Sequence, residues 1–170
     1  PRIALGVVFI LAILPVIHKE ETRGEVMDYC DKLAAELRGV IYAGQPVRVE
    51  LDTREMRGGE KVWSWIKKGV PIRLEVGPRD IAKDAVFAGR RDRPHREREG
   101  IPRSQFVGTL PERLDEIQQT LFDRARSFRE QHTEPIDSKE AFYDYFTPKD
   151  RDKPEIHGGF ALCHWSGGPE

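Results

Sequence analysis

The sequence predicts an α/β domain in layers on a mostly parallel sheet, and three observations carry that prediction. Strand-like and helix-like segments alternate up to residue 91 in the order strand–helix–strand–helix–strand–strand, as the crossovers of a parallel sheet require. The run Ile3 to Ile17 (IALGVVFILAILPVI) carries no charge, the pattern of a central strand covered on both faces. Gly39, Gly58-Gly59, Gly69-Val70-Pro71 and Gly77-Pro78 punctuate the segments.

Each element follows in turn. The apolar run is the first strand. Arg2 precedes it, which invites comparison with a signal peptide. However, it is shorter than the roughly 20 apolar residues of a membrane span, and His18-Lys19-Glu20-Glu21 follows it with no small-residue cleavage pattern. Thr22 and Glu25 have capping-box spacing, Val26, Tyr29, Cys30, Leu33 and Leu37 recur at helical intervals, and Gly39 stands at the C-cap, so the spacing predicts a helix over 22–38. Val47 to Leu51 alternates as a strand. Gly58-Gly59 breaks the chain, 60–68 is a short helix carrying Trp63, Trp65 and Ile66, and Ile72 to Val76 and residues 84–91 are strands. Residues 92–103 are expected to be a charged loop, and 105–107 a brief extension. Pro111 opens a long helix with an apolar stripe of Leu114, Ile117, Leu121, Ala125 and Phe128. Beyond residue 132 the composition shifts: a linker to Ser138, an aromatic helix with Phe142, Tyr145 and Phe146, a polar stretch, and a strand near Gly159-Phe160-Ala161-Leu162.

The 170 residues carry 34% charged and 38% hydrophobic side chains, which describes a globular chain with a wet surface. The net charge of −1 hides a local stripe, since Arg90, Arg91, Arg93, Arg96, Arg98 and Arg103 are opposed only by Asp92, Glu97 and Glu99. Cys30 and Cys163 are too few and too distant for a disulfide framework, which fits a reducing, cytoplasmic setting. No His/Cys spacing suggests a metal site, and no GxSxG, P-loop or GxGxxG motif marks a free-standing enzyme. Cys30 falls on the apolar side of its helix, a poor position for a nucleophile.

The stretch Lys68-Gly69-Val70-Pro71-Ile72-Arg73-Leu74-Glu75-Val76-Gly77-Pro78-Arg79-Asp80 resembles the K-G-V-P-[IL]-R-x-E-[IV]-G-P-R-D signature of the anticodon-binding domain of prolyl-tRNA synthetases. Flanking segments extend the likeness: Asp52-Thr53-Arg54 with Arg57, Gly59, Lys61 and Trp65; Arg90-Arg91-Asp92; Pro1-Arg2-Ile3-Ala4 at the junction with a catalytic domain; and Gly159 to Leu162 with His164-Trp165 at the start of a C-terminal zinc-binding-like domain. The likeness implies a mixed, mostly parallel five-stranded sheet flanked by helices, with a partial α+β extension. It places an anticodon-binding domain at 1–132 and the linker and extension at 133–170. The chain departs from the family pattern at Ile66, at Gly58-Gly59-Glu60 and at Ala4-Leu5-Gly6. Ser166 stands where zinc-binding members have their first cysteine, and no metal is expected.

The resemblance implies reading of the two guanines of the tRNA(Pro) anticodon, within an enzyme that attaches proline to tRNA using ATP and magnesium in a class II catalytic domain. None of the class II motifs occurs here, so the chain alone should be inactive and need no cofactor. Its expected partners are the tRNA and the catalytic domain of the same chain, in a homodimer and away from membrane. Splayed loop bases are read by edge and face. Guanine presents O6 and N7 to an arginine fork, and N1 and N2 donors to a carboxylate. Arg73, Glu75, Arg79 and Asp80 supply that mixture, with Arg73 and Glu75 on one strand face and Arg79-Asp80 just past the strand end. The bland reading makes Arg73–Glu75 a surface ion pair and Arg79-Asp80 a helix cap. Lys61, Lys68, Arg90, Arg91, Arg93 and Arg96 are candidates for the tRNA backbone, against a plain solvated surface. Trp63 and Trp65 are candidates for stacking or packing. The alternative function is a diverged paralogue that keeps the fold as a protein–protein or general RNA-binding module.

Overall fold

The computed structural model describes residues 11–150, 152, 159–165, 167 and 168. Ile3 to Ile10 of the apolar run, the Pro1–Ala4 junction, Ala4-Leu5-Gly6 and Ser166 lie outside the described residues. The chain divides into two compact units, the first ending at Leu121 and the second beginning at Phe122.

The first unit is a five-stranded sheet in the order β4-β1-β5-β6-β7: β4 (Val49–Leu51), β1 (Leu11–Pro15), β5 (Ile72–Val76), β6 (Ala85–Arg90) and β7 (Arg98–Pro102). β1 pairs in parallel with β4 and β5, while β6 runs antiparallel to both β5 and β7. Four strands therefore share one direction and β6 opposes them, which is the mixed, mostly parallel sheet expected.

One face of this sheet carries the main core. Leu11, Ile13, Ile72, Leu74, Val76, Val86, Ala88 and Ile101 point to it. Helix α1 (Arg23–Arg38) covers it with Val26, Cys30, Leu33, Ala34 and Leu37, the stripe that helical periodicity demands. Phe106 of α4 (Arg103–Gly108) joins it, as do Leu110, Leu114 and Ile117 of α5 (Leu110–Gln131). The opposite face has a much smaller apolar cluster, Ala12, Leu14, Trp65 and Val70, under α2 (Gly58–Lys67). That helix sits on the β1 side. Its end is a Schellman turn: Val70 N–H donates to Trp65 O at 3.3 Å, Gly69 N–H donates to Ile66 O at 2.9 Å, and Gly69 takes φ +70°.

Several expectations are corrected. The Thr22 hydroxyl donates to Lys19 O at 2.9 Å and caps nothing, because a 3-10 turn, Glu20–Thr22, already leads into α1. Gly58-Gly59 opens α2 instead of breaking the chain. The loop expected at 92–103 contains β7, and residues 105–107 belong to α4. A hairpin of β2 (Ile41–Tyr42) and β3 (Gln45–Pro46) turns on Ala43 and Gly44, both at positive φ as a type I′ turn requires. The short α3 (Pro78–Ile81) follows β5.

The second unit pairs β8 (Thr133–Pro135) in parallel with β9 (Phe160–Leu162), so the expected linker contributes a strand. Its helix α6 (Lys139–Phe146) is capped by the Ser138 hydroxyl, which accepts from Ala141 N–H at 3.1 Å. No helix among the described residues is long and apolar enough to cross a membrane.

Candidate nucleic-acid interface

Strand register sets the first part of the site. Ala12, Arg73, Gly89 and Arg98 form one row across β1, β5, β6 and β7, and Leu14, Glu75, Phe87 and Gly100 form the next. Both rows lie on the face opposite the main core. Helix α2 buries the β1 end of the rows, and the remaining strands present charged side chains, one aromatic ring and two glycines.

Arg73 is only 4% exposed, yet no hydrogen bond or ion pair holds its guanidinium among the described residues. It lies over Gly89, where an added Cβ would stand 3.0 Å from its Nη2 and 3.4 Å from Arg98 Cγ. Gly89 therefore keeps room for two arginine side chains. Burial pushes Arg73 below its ordinary pKa, with Glu75 drawing it back up and Arg98 adding to the fall, and it remains a cation. Arg98 donates to one oxygen of Glu75 and stacks 5.4 Å from the Phe87 centroid. The surface ion pair envisaged for Arg73 with Glu75 is thus made by Arg98, and Arg73 keeps its donors.

A cavity of about 440 Å³ opens beyond the carboxyl ends of β1, β4 and β5, the usual ligand crevice of such sheets. Its lining includes His18, Arg23, Arg54, Arg57, Lys61 and Glu75. One wall is organised by Asp52, 2% exposed, which accepts from Trp65 Nε1 at 2.7 Å, Arg54 Nε at 2.8 Å and Arg54 Nη2 at 2.6 Å. Burial alone would raise the Asp52 pKa, but the hydrogen bonds from Arg54 and Trp65 outweigh it and hold the carboxyl well below the usual range. Lys61 is buried, and its Nζ donates to Asp52 O at 3.2 Å, fixing the same loop from α2. Asp80 accepts from Gly77 N–H at 2.9 Å and closes the start of α3, while Arg79 beside it is exposed.

The cations after β6 divide. Arg90 is 6% exposed and faces α5, bonded to Asp92 at 3.0 and 2.9 Å and to Glu116 at 2.7 Å. Its hydrogen bonds to Asp92 raise its pKa against the opposing effect of burial. It holds β6 to α5 and offers no free donor fork to a backbone. Arg91 is exposed and donates to Gly69 O at 3.1 Å, and Arg93 pairs with Glu97 at 2.9 Å. Arg96 is exposed. Lys68 lies 4.1 Å over the Trp65 ring. Trp63, 50% exposed, meets His95 with ring centroids 5.2 Å apart. Cys30 is fully buried and its thiol is pushed up to about 12 by desolvation, with Asp31 adding, so it is no nucleophile.

The structure brings Arg73 and Glu75 together on one face, sets Arg79 and Asp80 at the end of β5, and leaves Arg91, Arg93, Arg96 and Lys68 at the surface. It draws Lys61 and Arg90 inward. Phe87 and Gly89 are not singled out in the sequence, and Arg98 is counted there only within the arginine stripe. They become visible only once β7 is placed, since alternation along 98–102 leaves Ile101 as its one buried residue.

Residues 11–113 match a family model described as "Anticodon binding domain". The chain is 52% identical over 163 residues to Proline--tRNA ligase 2 of Anaeromyxobacter dehalogenans, covering 94% of this chain and 32% of that protein. It is 46% identical over 160 residues to the Proline--tRNA ligase of Protochlamydia amoebophila, covering 94% and 32% respectively. The crystal structure of prolyl-tRNA synthetase from Cryptosporidium parvum, complexed with L-proline and AMP, superposes with a TM-score of 0.68 at 32% identity, over 81% of this chain and 27% of that one. The chain thus spans about a third of the length of the curated relatives it matches, 32% in the two named.

Proposed function

The chain belongs to the anticodon-binding domain family, and from that premise we propose that it reads the anticodon loop of tRNA(Pro) for a proline–tRNA ligase. The observation that carries this reading is Arg73. A guanidinium that is 4% exposed and without a bonded partner among the described residues needs an acceptor. Guanine O6 and N7 are spaced for that fork. Glu75 lies two residues along the same face and keeps acceptor capacity beyond its bond to Arg98, which suits guanine N1–H and N2–H. Phe87 offers a ring to a base face. Arg79 and the second oxygen of Asp80 lie past the strand end and join as further edge contacts.

Arg91, Arg93, Arg96 and Lys68 supply backbone grip on this reading, while Lys61 and Arg90 shape the site from within. Attachment of proline, with ATP and magnesium, belongs to a class II catalytic domain elsewhere in the same chain, paired in a homodimer. Residues 1–132 are the anticodon-binding domain, and the protein works in the cytoplasm.

The test is binding of the chain to a proline anticodon stem-loop against one with both guanines replaced, across a salt series. The expected result is preference for the guanine loop that Arg73→Ala removes. Equal binding of both loops with a steep salt dependence would leave only backbone grip and defeat the proposal.

A further inference from the structure

Two tryptophans two residues apart on α2 do different work. Trp65 is 2% exposed and closes the small apolar cluster with Ala12, Leu14 and Val70. Trp63 takes no part in that cluster. It is 50% exposed, and its ring contact is with the exposed His95, at 5.2 Å between centroids and a 40° tilt. A large indole left half in water, leaning on an imidazole from another element, is available to a flat ligand.

The surroundings choose the ligand. His95 sits in the turn that leaves β6 just after Arg90, next to Arg96 and to Arg93, whose charge is shared with Glu97. Arg91 of the same turn bonds back to Gly69 at the end of α2, beside the exposed Lys67 and Lys68. Two contacts, Trp63–His95 and Arg91–Gly69, thus tie the turn to α2. An apolar peptide would find a ring of cations there. A nucleotide brings a π-face for the rings and a phosphate for the cations.

We infer that Trp63 and His95 form a stacking shelf for one further base of the bound RNA loop, apart from the guanines at Arg73 and Glu75. The inference rests on the anticodon-reading proposal. It adds a base contact that is indifferent to sequence, because every base has a face to stack. β6 links the two places: it carries Gly89 beneath Arg73 and leads after Arg90 into the turn that bears His95.

Affinities of the full chain for the guanine loop and the guanine-replaced loop separate the two claims. Trp63→Ala should weaken binding to both loops by the same factor, about five-fold or more, and leave their ratio intact. His95→Ala should do so more mildly, and it decides the matter if circular dichroism finds Trp63→Ala unfolded. One loop position made abasic should weaken wild type yet add nothing in Trp63→Ala. Wild-type affinity for both loops in Trp63→Ala, or a changed ratio without general weakening, would overturn the shelf. Arg73→Ala reports separately: if it leaves the ratio unchanged while Trp63→Ala weakens both loops, guanine reading fails and the shelf stands. Failure of wild type to bind either loop would remove both.

Discussion

The Trp65 indole N–H donates to Asp52 Oδ2 at 2.7 Å, and each residue is 2% exposed. One carboxylate thereby joins the end of β4 to the helix on the other side of the sheet. Asp52→Ala removes the buried acceptor of that N–H and of the Arg54 guanidinium and should cost about 2 kcal/mol. The Asp52 pKa is lowered in the fold, so its contribution is complete above the unfolded value of about 4 and is lost as pH falls through the lower folded value. Urea unfolding should find the gap between wild type and variant constant above about pH 5 and closing in stronger acid.

Gly89→Ala tests the site without altering a charged residue. The new methyl would meet Arg73 Nη2 at 3.0 Å, the far end of a side chain that can shift, so the fold should hold within about 1 kcal/mol. The displaced fork should lose about 1 kcal/mol or more of guanine discrimination. Thermal melts paired with stem-loop titrations check both, and an unchanged loop preference would show that Arg73 does not read the base from its present position.

Arg90 and Arg96 look alike in sequence and should behave oppositely. Arg90→Ala removes the guanidinium bonded to Asp92, whose side chain is 2% exposed, and to Glu116, and should destabilise the domain by about 3 kcal/mol. Arg96→Ala should leave stability alone and lower the slope of log affinity against log salt by about 0.7. Denaturation and a salt series on each variant distinguish the two roles.

The layered fold was legible because buried parallel strands and amphipathic helices write strong periodic patterns. Leu11 to Leu14 and the Val26–Leu37 stripe needed no tertiary information. β7 was not legible, because an edge strand with one buried residue, Ile101, reads as a charged loop. Missing it hid the place of Arg98 on the sheet face, and with it the true partner of Glu75. The arginine stripe divides for a related reason. Composition counts Arg90 with Arg91, but strand alternation sends the first toward Glu116 and the second toward Gly69. The resemblance to a family supplied Arg73 and Glu75, and only the fold showed that one is buried with its donors unspent.

Glu75→Gln separates recognition from scaffolding. The Glu75 and Arg98 side chains are 20% and 32% exposed, so their ion pair should contribute no more than about 1 kcal/mol to stability. Melting should therefore change little. For guanine the change is larger, since a carboxylate accepts from N1–H and N2–H together, whereas a carboxamide offers one acceptor and sets donors against donors. Affinity for the guanine loop should fall about ten-fold or more, and affinity for the guanine-replaced loop should hold. Arg98→Ala removes the same ion pair but keeps the carboxylate, so it should spare more of the guanine preference than Glu75→Gln does. Equal losses in the two variants would mean that Glu75 serves only to hold Arg98 across Phe87.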